Sequence, residues 1–290
     1  MNNTSLIKKC PICHSEKLFS TGVFIESNEI IYCNLCQHQF NNCSLDDFNN
    51  SIQKFEHHSG TTPKTKDLQR RTKRLNKIFK EFIPKSIKNG RYLDIGCSDG
   101  FTLGVAKEYG LNAYGVEIAK KPGNIAKQNG FDVHIGSLES AKFNDNSFDV
   151  ISLFEVIEHI PNPNPILKEI FRILDSNGIL IISTGNARSI SARVLKANWD
   201  YYDLFGHGGH INFYCKNSIE LLCNDHNLKI KKILTRRISL TSCPNSGRIT
   251  DYFLKILGHD NLSMFKNLLK YRHESKKQVC DSFTYFRGQI

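Results

Sequence analysis

The stretch that most constrains the fold is residues 91–100, which read R-Y-L-D-I-G-C-S-D-G. Tyr92, Leu93 and Ile95 form a short apolar run, as a parallel strand buried on both faces requires. Small residues follow at once, and the apolar spacing of residues 101–109 then predicts a helix. A strand, a glycine-containing turn and a helix N-terminus together let a ligand approach free backbone N–H groups.

The glycine pattern and the next strand narrow the ligand class. Gly96-x-Ser98-x-Gly100 differs from G-x-G-x-x-G, so the turn does not favour an NAD site. Residues 112–116 predict a second strand, which ends in Glu117 about 20 residues after the turn. A carboxylate in that position can accept hydrogen bonds from ribose hydroxyls.

Two further apolar segments, at 148–153 and 178–183, predict core strands. With them, residues 93–186 resemble the class I S-adenosylmethionine (SAM)-dependent methyltransferases. The motifs that carry this resemblance are L-D-I-G-C-S-D-G, G-V-E and F-D-V-I-S-L-F-E-V-I-E-H-I. The resemblance implies an α/β fold, with a Rossmann-like seven-stranded sheet, helices on both faces and SAM as the cofactor.

The resemblance also implies which residues contact the cofactor. Cys97 is expected to act through its backbone, since its thiol is typical of a small core side chain. Ser137 stands where the family commonly has an acidic residue contacting the adenine amino group, so the Ser137 hydroxyl or the backbone near Leu138 is expected to make that contact. The implied set is Asp94, Gly96, Cys97, Ser98, Gly100, Glu117, Ile118, Ser137, Leu138 and Phe154.

Four of the ten cysteines form two pairs, Cys10 with Cys13 and Cys33 with Cys36, spaced C-x2-C-x19-C-x2-C. This spacing is typical of a structural zinc site, in which each pair puts two thiolates on one tight turn. The segments between the pairs predict a small hairpin, as in a zinc ribbon. A set of reduced thiols without metal is the alternative. Four thiolates leave no open coordination position, so we expect structural rather than catalytic zinc.

Patterning divides the chain into three parts. We predict a zinc-ribbon-like unit at 1–45, a linker with a basic amphipathic helix at 46–90, and a SAM-dependent methyltransferase domain at 91–290. Insertions on the acceptor side are expected around 186–215 and 245–275, the latter with helices at 249–271.

The net charge is +11, and residues 64–91 carry eleven basic side chains against two acidic ones. That segment is either the solvated face of a helix or a nucleic-acid footprint.

Methylation of a hydroxyl requires removal of its proton, and histidine is the side chain best matched to neutral pH. By the resemblance, His159 and the pair His207 and His210 lie closest to the acceptor, and Glu155 is a further candidate. We expect His210 to be the base, with His159 as second choice. The two paired histidines have no acidic neighbour in the sequence, so the pattern gives little support for a metal ion there.

Three functions are compatible with these patterns. The first is O-methylation of a sugar, a nucleotide-sugar or another small molecule, because cysteine pairs joined to such a domain resemble enzymes of polysaccharide and sugar-modification pathways. The second is methylation of RNA bases, with the zinc unit and the basic helix as the docking surface. The third is a non-catalytic binding protein built on the SAM fold.

Composition limits the location and the partners. No apolar run approaches the ~20 residues that span a bilayer, and residues 1–9 lack the apolar core of a signal peptide. The cysteine pattern suits a reducing compartment. We therefore expect a cytoplasmic protein with no membrane span and a small-molecule acceptor, nucleic acid being the less favoured partner.

Overall fold

The structure is a computed structural model that describes residues 5–58, 65–205, 208–234 and 284–289. Two sequence predictions lie outside these residues: the catalytic candidate His207 and the inserted helices at 249–271. Among the described residues, no helix is long and apolar enough to cross a membrane.

The described strands form two sheets, one of seven strands and one of four. In chain order the strands are β1 (Leu18–Ile25), β2 (Asn28–Cys33), β3 (Gln39–Asn41), β4 (Arg91–Ile95), β5 (Asn112–Glu117), β6 (Asp132–Ile135), β7 (Phe148–Phe154), β8 (Leu174–Thr184), β9 (Asn212–Phe213), β10 (Lys229–Leu234) and β11 (Thr284–Gln289).

The large sheet has the order β6-β5-β4-β7-β8-β11-β10. Strands β4 to β8 are parallel, whereas β11 is antiparallel to both β8 and β10. The chain runs outward from β4 through β5 to β6 and then returns to pair β7 with β4. The strand order therefore reverses at β4, and open α/β sheets bind ligands at the carboxyl ends of strands beside such a point.

Most of the described α-helices pack on the two faces of the large sheet. In chain order the helices are α1 (Leu45–His58), α2 (Thr65–Phe82), α3 (Phe101–Glu108), α4 (Lys120–Gln128), α5 (Asn164–Ile173), α6 (Ile190–Leu195) and α7 (Lys216–Asp225).

Alternate residues of the central strands pack on opposite faces of the sheet. In β8, Leu180 and Ile182 belong to one apolar cluster, and Ile179 and Ile181 to another. The first cluster includes buried side chains of α5 and α7, and the second includes those of α2, α3 and α4. Because consecutive side chains of a strand point to opposite faces, the central strands are mostly apolar at both sets of alternating positions. The predicted fold class is confirmed.

One predicted turn is wrong. The sequence D-S-N-G at 175–178 predicts a turn into the fifth parallel strand, but these residues lie within β8. Phe148 pairs with Leu174 and Val150 with Ile179, so the extra residues of β8 form a bulge. Pairing at Leu174 brings the start of the strand into the sheet, while Ser176 and Asn177 stay exposed.

The small sheet joins the N-terminal segment to a distant part of the chain. The hairpin predicted between the two cysteine pairs is present, as β1 and β2 pair in antiparallel fashion. Strand β3 extends it and pairs with β9, placing Phe40 opposite Asn212. The cysteines Cys10 and Cys36 also share an apolar cluster with Tyr214. The N-terminal segment is therefore packed against the residues that precede α7.

Candidate active site

The turn after β4 has a backbone conformation that favours glycine. Gly96 has φ +74° and Gly100 has φ +85°, in the left-handed region that other residues rarely adopt. A Cβ atom at Gly96 would lie 2.4 Å from Cγ2 of Val156, which follows β7. The N–H groups of Gly96 and Cys97 both donate to the Val116 carbonyl, at 2.8 and 3.1 Å. The turn is thereby held against β5 on one side and the end of β7 on the other.

Glu117, at the end of β5, ties that strand to the turn. Its Oε2 accepts a hydrogen bond from the Ser98 N–H at 2.8 Å, and its Oε1 accepts one from the Ala119 N–H at 2.8 Å. The side chain is buried, whereas neighbouring Ile118 is 76% exposed. A fixed carboxylate therefore lies beside an open apolar side chain at the carboxyl edge of the sheet.

Asp94 is a buried carboxyl group within β4. The Ser152 hydroxyl donates to its Oδ1 at 2.5 Å, and Ser152 Oγ also lies 2.5 Å from the Tyr92 hydroxyl oxygen. Burial, which the hydrogen bonds from Ser152 and Thr102 oppose, raises the pKa of Asp94 to about 7. The side chain links β4 to β7 directly beneath the glycine turn.

The other predicted cofactor residues differ in exposure. Cys97 is buried, and burial raises the pKa of its thiol, which agrees with a core role for the side chain. Ser137 is exposed after β6, where its Oγ accepts the Ser140 N–H at 3.3 Å. Leu138 packs into the core, and Phe154 is half-buried at the end of β7.

A second group of polar side chains follows β7, next to the glycine turn. Glu158 is fully buried, and the Tyr201 hydroxyl donates a hydrogen bond to its Oε1. The Tyr201 oxygen in turn accepts the Gly185 N–H at 2.7 Å. Glu155 accepts a hydrogen bond from the Ser183 hydroxyl at 2.6 Å. Two carboxyl groups thus lie near one phenol at the end of the central strands.

The shared surroundings of these groups shift their pKa values upward. Burial raises the pKa of Glu158 to about 7, against the hydrogen bond from Tyr201. Burial, and then the charge of Glu158, raise the pKa of Glu155 well above its usual range, while Arg74 of α2 opposes the rise. Burial, and then the charges of both carboxylates, raise the pKa of Tyr201.

Two of the three predicted catalytic histidines join this group. The ring centroids of His159 and His210 are 4.7 Å apart, and that of Tyr201 is 4.3 Å from that of His210. His159 Nδ1 lies 2.9 Å from the Gly208 carbonyl oxygen, and His210 Nδ1 lies 2.9 Å from the Tyr201 carbonyl oxygen. A carbonyl only accepts, so Nδ1 carries the proton in each ring and Nε2 is the basic nitrogen of the neutral form.

The sequence interpretation missed the acidic partner of His210. The two residues are 52 positions apart in the chain, but a ligand atom of Glu158 and one each of His159 and His210 lie within 4.8 Å of one another. The expectation that His210 has no acidic neighbour is therefore wrong. Tyr201 was also missed as a carboxylate partner. The only signal was the aromatic run 199–202, in which Trp199 and Tyr202 prove to be buried side chains.

The four cysteines of the two predicted pairs converge. Cys10 Sγ lies 3.4 Å from Cys36 Sγ, and Cys13 Sγ lies 3.5 Å from Cys33 Sγ. All four sulfur atoms lie within 4.8 Å of one another, and none is in a disulfide. Four thiolates bound tetrahedrally to zinc with Zn–S bonds of about 2.3 Å are about 3.8 Å apart. The donor set and its geometry fit a zinc ion.

The basic helix α2 lies along the edge of the site. The guanidinium carbon of Arg71 is 4.3 Å from the ring centroid of Phe101, the first residue of α3. On the same helix, the charge of Arg74 acts on Glu155, as described above. Positive charge is thus placed next to both the glycine turn and the carboxyl groups. Arg71 makes this contact while remaining exposed to solvent, and Arg74 is half-buried.

The residues around the turn fit a nucleoside-containing cofactor. The glycine turn leads into the N-terminus of α3, the Glu117 carboxylate is held at the strand end, and the exposed Ile118 offers an apolar surface. Ribose hydroxyls require acceptors and a purine ring requires apolar surface, so this edge suits adenosine.

Comparisons with known proteins agree with this geometry. Residues 68–233, more than half of the chain, match the family model described as "Methyltransferase domain". The ubiquinone biosynthesis O-methyltransferase of Colwellia psychrerythraea is 28% identical over 119 residues, which cover 37% of this chain and 48% of the relative. The enzyme of the same name from Pelagibacter ubique is 32% identical over 119 residues, covering 38% and 49%. The chain thus spans about half the length of these curated relatives.

A solved structure shows the same fold. The SAM-dependent methyltransferase from Archaeoglobus fulgidus superposes with a TM-score of 0.55 and 16% sequence identity, covering 77% of this chain and 94% of that chain. At this identity the likeness concerns the fold alone.

Proposed function

The chain belongs to the methyltransferase-domain family, and from this membership we propose that it transfers a methyl group from SAM to an oxygen atom of a small molecule. One structural relationship carries the proposal. Ile95 pairs with Leu153, so the glycine turn after β4 and the segment after β7 leave the sheet side by side. The part of the sheet edge that would bind the cofactor, at the glycine turn, therefore lies next to the group formed by Glu158, His159 and His210.

The chain's own residues supply binding, orientation and proton removal. SAM, when bound, supplies an electrophilic methyl group on a sulfonium. The glycine turn and Glu117 would hold the adenosine portion of the cofactor. Holding the acceptor in line with that group can account for much of the rate. The acceptor loses its hydroxyl proton as its oxygen bonds the methyl carbon and the C–S electron pair remains on sulfur.

We place removal of this proton at the group that follows β7. His210 is buried, and its Nδ1 is held by the Tyr201 carbonyl, which orients the ring. His159 is oriented in the same way by the Gly208 carbonyl. An oriented side chain within reach of an acceptor is what proton transfer requires. His210 therefore stays our first candidate for this step, and His159 the second.

The acceptor class is proposed from the relatives' names and the charge at the site. Both relatives described above are named as O-methyltransferases, which favours an oxygen acceptor. Arg71 and Arg74 place positive charge beside the site, which favours an acceptor that carries phosphate. A nucleotide-linked sugar combines a hydroxyl with phosphate, and we keep it as the specific proposal.

Transfer of labelled methyl groups tests the proposal. The protein would be incubated with methyl-labelled SAM and, separately, with a small-metabolite fraction and with RNA, each at low and high salt. Label in nucleotide-sugars is the expected result. Label in RNA that is lost at high salt would show nucleic-acid methylation instead, because phosphate contacts weaken steeply with salt. No transfer, together with no SAM binding in calorimetry, would identify a non-catalytic protein.

We also propose that Cys10, Cys13, Cys33 and Cys36 hold one structural zinc ion. The support is the convergence of four free thiols in a small sheet, where metal binding contributes folding free energy. Metal analysis of the purified chain should find one zinc ion per chain. Cys13→Ser should lose that zinc, whereas Cys223→Ser, at a buried cysteine outside the set, should retain it. Equal zinc content in both variants would contradict the assignment.

A further inference from the structure

The group formed by Glu158, His159 and His210 contains three atoms of the kind that bind metal ions. One ligand atom from each residue lies within 4.8 Å of the other two. Two atoms bound at about 2.1 Å to the same ion are at most about 4.2 Å apart. The three side chains are therefore close to the separation at which a single cation would bridge them.

The hydrogen bonds of the two imidazoles place the proton on Nδ1 of each ring, so the lone pair of the neutral ring is on Nε2. Nδ1 of His159 donates to the Gly208 carbonyl and Nδ1 of His210 to the Tyr201 carbonyl, each at 2.9 Å. Metal-binding histidines commonly donate their other N–H to a backbone carbonyl, which fixes the tautomer and the ring orientation. Both rings have this arrangement, which makes Nε2 the candidate ligand nitrogen of each.

Glu158 supplies the independent observation. Its side chain is fully buried, its Oε1 accepts the Tyr201 hydroxyl, and its Oε2 has no hydrogen-bond partner among the residues that the structure describes. A buried carboxylate oxygen without a partner is costly. A cation shared by this carboxylate and the two imidazoles would remove that cost.

On the basis of the function proposed above, we propose that Glu158, His159 and His210 bind one divalent transition-metal ion that orients and polarises the acceptor hydroxyl. Two imidazoles and one carboxylate are ligands suited to ions such as Mn²⁺, Fe²⁺ or Zn²⁺, and three protein ligands leave positions open for an acceptor. A cation there lowers the pKa of a hydroxyl group that it contacts, so the proton leaves to solvent. Both histidines would then act as ligands, and the hydroxyl proton would pass to solvent instead of to His210.

Manganese is the probe that separates this site from the cysteine site. Mn²⁺ prefers oxygen and nitrogen ligands, whereas four thiolates select zinc. The protein carrying a single equivalent of zinc, which the four thiolates bind, would be titrated with Mn²⁺, and free Mn²⁺ would be followed by electron paramagnetic resonance. Glu158→Gln, His159→Gln and His210→Gln would be compared with His226→Gln, a half-buried histidine at the end of α7. SAM binding by each variant would report that the fold is intact.

The expected result is one Mn²⁺ per chain in the wild-type protein and in His226→Gln. Each of the three ligand variants should weaken Mn²⁺ binding by more than about 100-fold. Substituting a residue that only hydrogen-bonds a metal ligand costs less than this. Absence of Mn²⁺ binding by the wild-type protein, or equal binding by the ligand variants, would overturn the inference.

Methyl transfer distinguishes this inference from the proposed function. If transfer proceeds equally with Mn²⁺ present and after its removal, the metal inference fails and the proposed function stands. If Mn²⁺ binds as expected but no acceptor is methylated, the metal site stands and the proposed function fails.

Discussion

His38 Nε2 lies 2.9 Å from Asn212 Oδ1, although the two residues are 174 positions apart in the chain. Both side chains are fully buried. The Asn212 amide donates in turn to the Ile160 carbonyl at 2.6 Å, directly after the Glu158 and His159 pair. The N-terminal sheet is thus hydrogen-bonded to the segment that carries the candidate catalytic side chains.

Replacing His38 should therefore destabilise the whole chain. His38→Leu leaves the Asn212 oxygen buried without a donor, which costs about 1–3 kcal/mol of the free energy of unfolding. Urea denaturation would measure the loss. His134→Leu, at a more exposed histidine that bonds only to nearby Ser140, should change stability by less than about 0.5 kcal/mol. Equal losses of unfolding free energy in the two variants would show that the hydrogen bond between His38 and Asn212 contributes no more to stability than an exposed one.

Glu117 should determine cofactor affinity. Glu117→Ala removes a carboxylate that orders the turn through Ser98 and that can bond the ribose, so SAM binding should weaken by about 1–3 kcal/mol. Isothermal titration calorimetry measures this directly. Glu108→Ala, at the end of α3 and away from the strand ends, serves as the matched control. Unchanged affinity in Glu117→Ala would remove this residue from the cofactor site.

Alanine substitutions at two glycines distinguish the stability cost of backbone strain from the cost of a steric clash. Gly96 and Gly22 both have positive φ, but an added Cβ meets Val156 at 2.4 Å in the first and nothing within 4 Å in the second. Gly22→Ala should cost about 1 kcal/mol of stability from strain alone. Gly96→Ala should cost a further 1–3 kcal/mol or so from the clash and should also impair SAM binding. Chemical denaturation and calorimetry together check both expectations, and similar losses would contradict the steric account.

Asp94 should make stability fall as the pH rises. Its pKa is about 7 in the folded protein against an ordinary value of 3.8, so the folded state holds the proton over that interval while the unfolded state releases it. Stability is therefore highest below the unfolded pKa and is reduced as the pH rises to about 7, by on the order of 3–4 kcal/mol. Asp94→Asn should flatten this part of the profile in urea denaturation series.

Asp149 provides the contrast of opposite sign. The hydrogen bonds from Arg91 lower the pKa of Asp149, so its contribution is present above the unfolded pKa and is lost as the pH falls. Asp149→Asn should therefore reduce stability near neutral pH, where Asp94→Asn increases it. If both substitutions acted in the same direction, the assignment for Asp94 would be wrong.

Local patterns in the sequence were sufficient for most of the fold. The strand, turn and helix around Gly96 and the metal-type cysteine spacing depend on residues close in the chain, where period and composition report directly on structure. The bulge in β8 was missed because polar residues in a row indicate a turn equally well, and only pairing with β7 decides between them.

The sequence by itself determined the fold class, the glycine turn, the acidic end of β5 and the two cysteine pairs. Only the tertiary structure decided that Tyr201 bonds Glu158, that His210 lies beside both, and that His38 reaches Asn212. The contact between Tyr201 and Glu158 joins residues 43 positions apart, and that between His38 and Asn212 joins residues 174 positions apart. They arise because parallel strands bring their carboxyl ends to one edge and because buried polar groups must find partners there, and neither requirement leaves a periodic trace in the sequence.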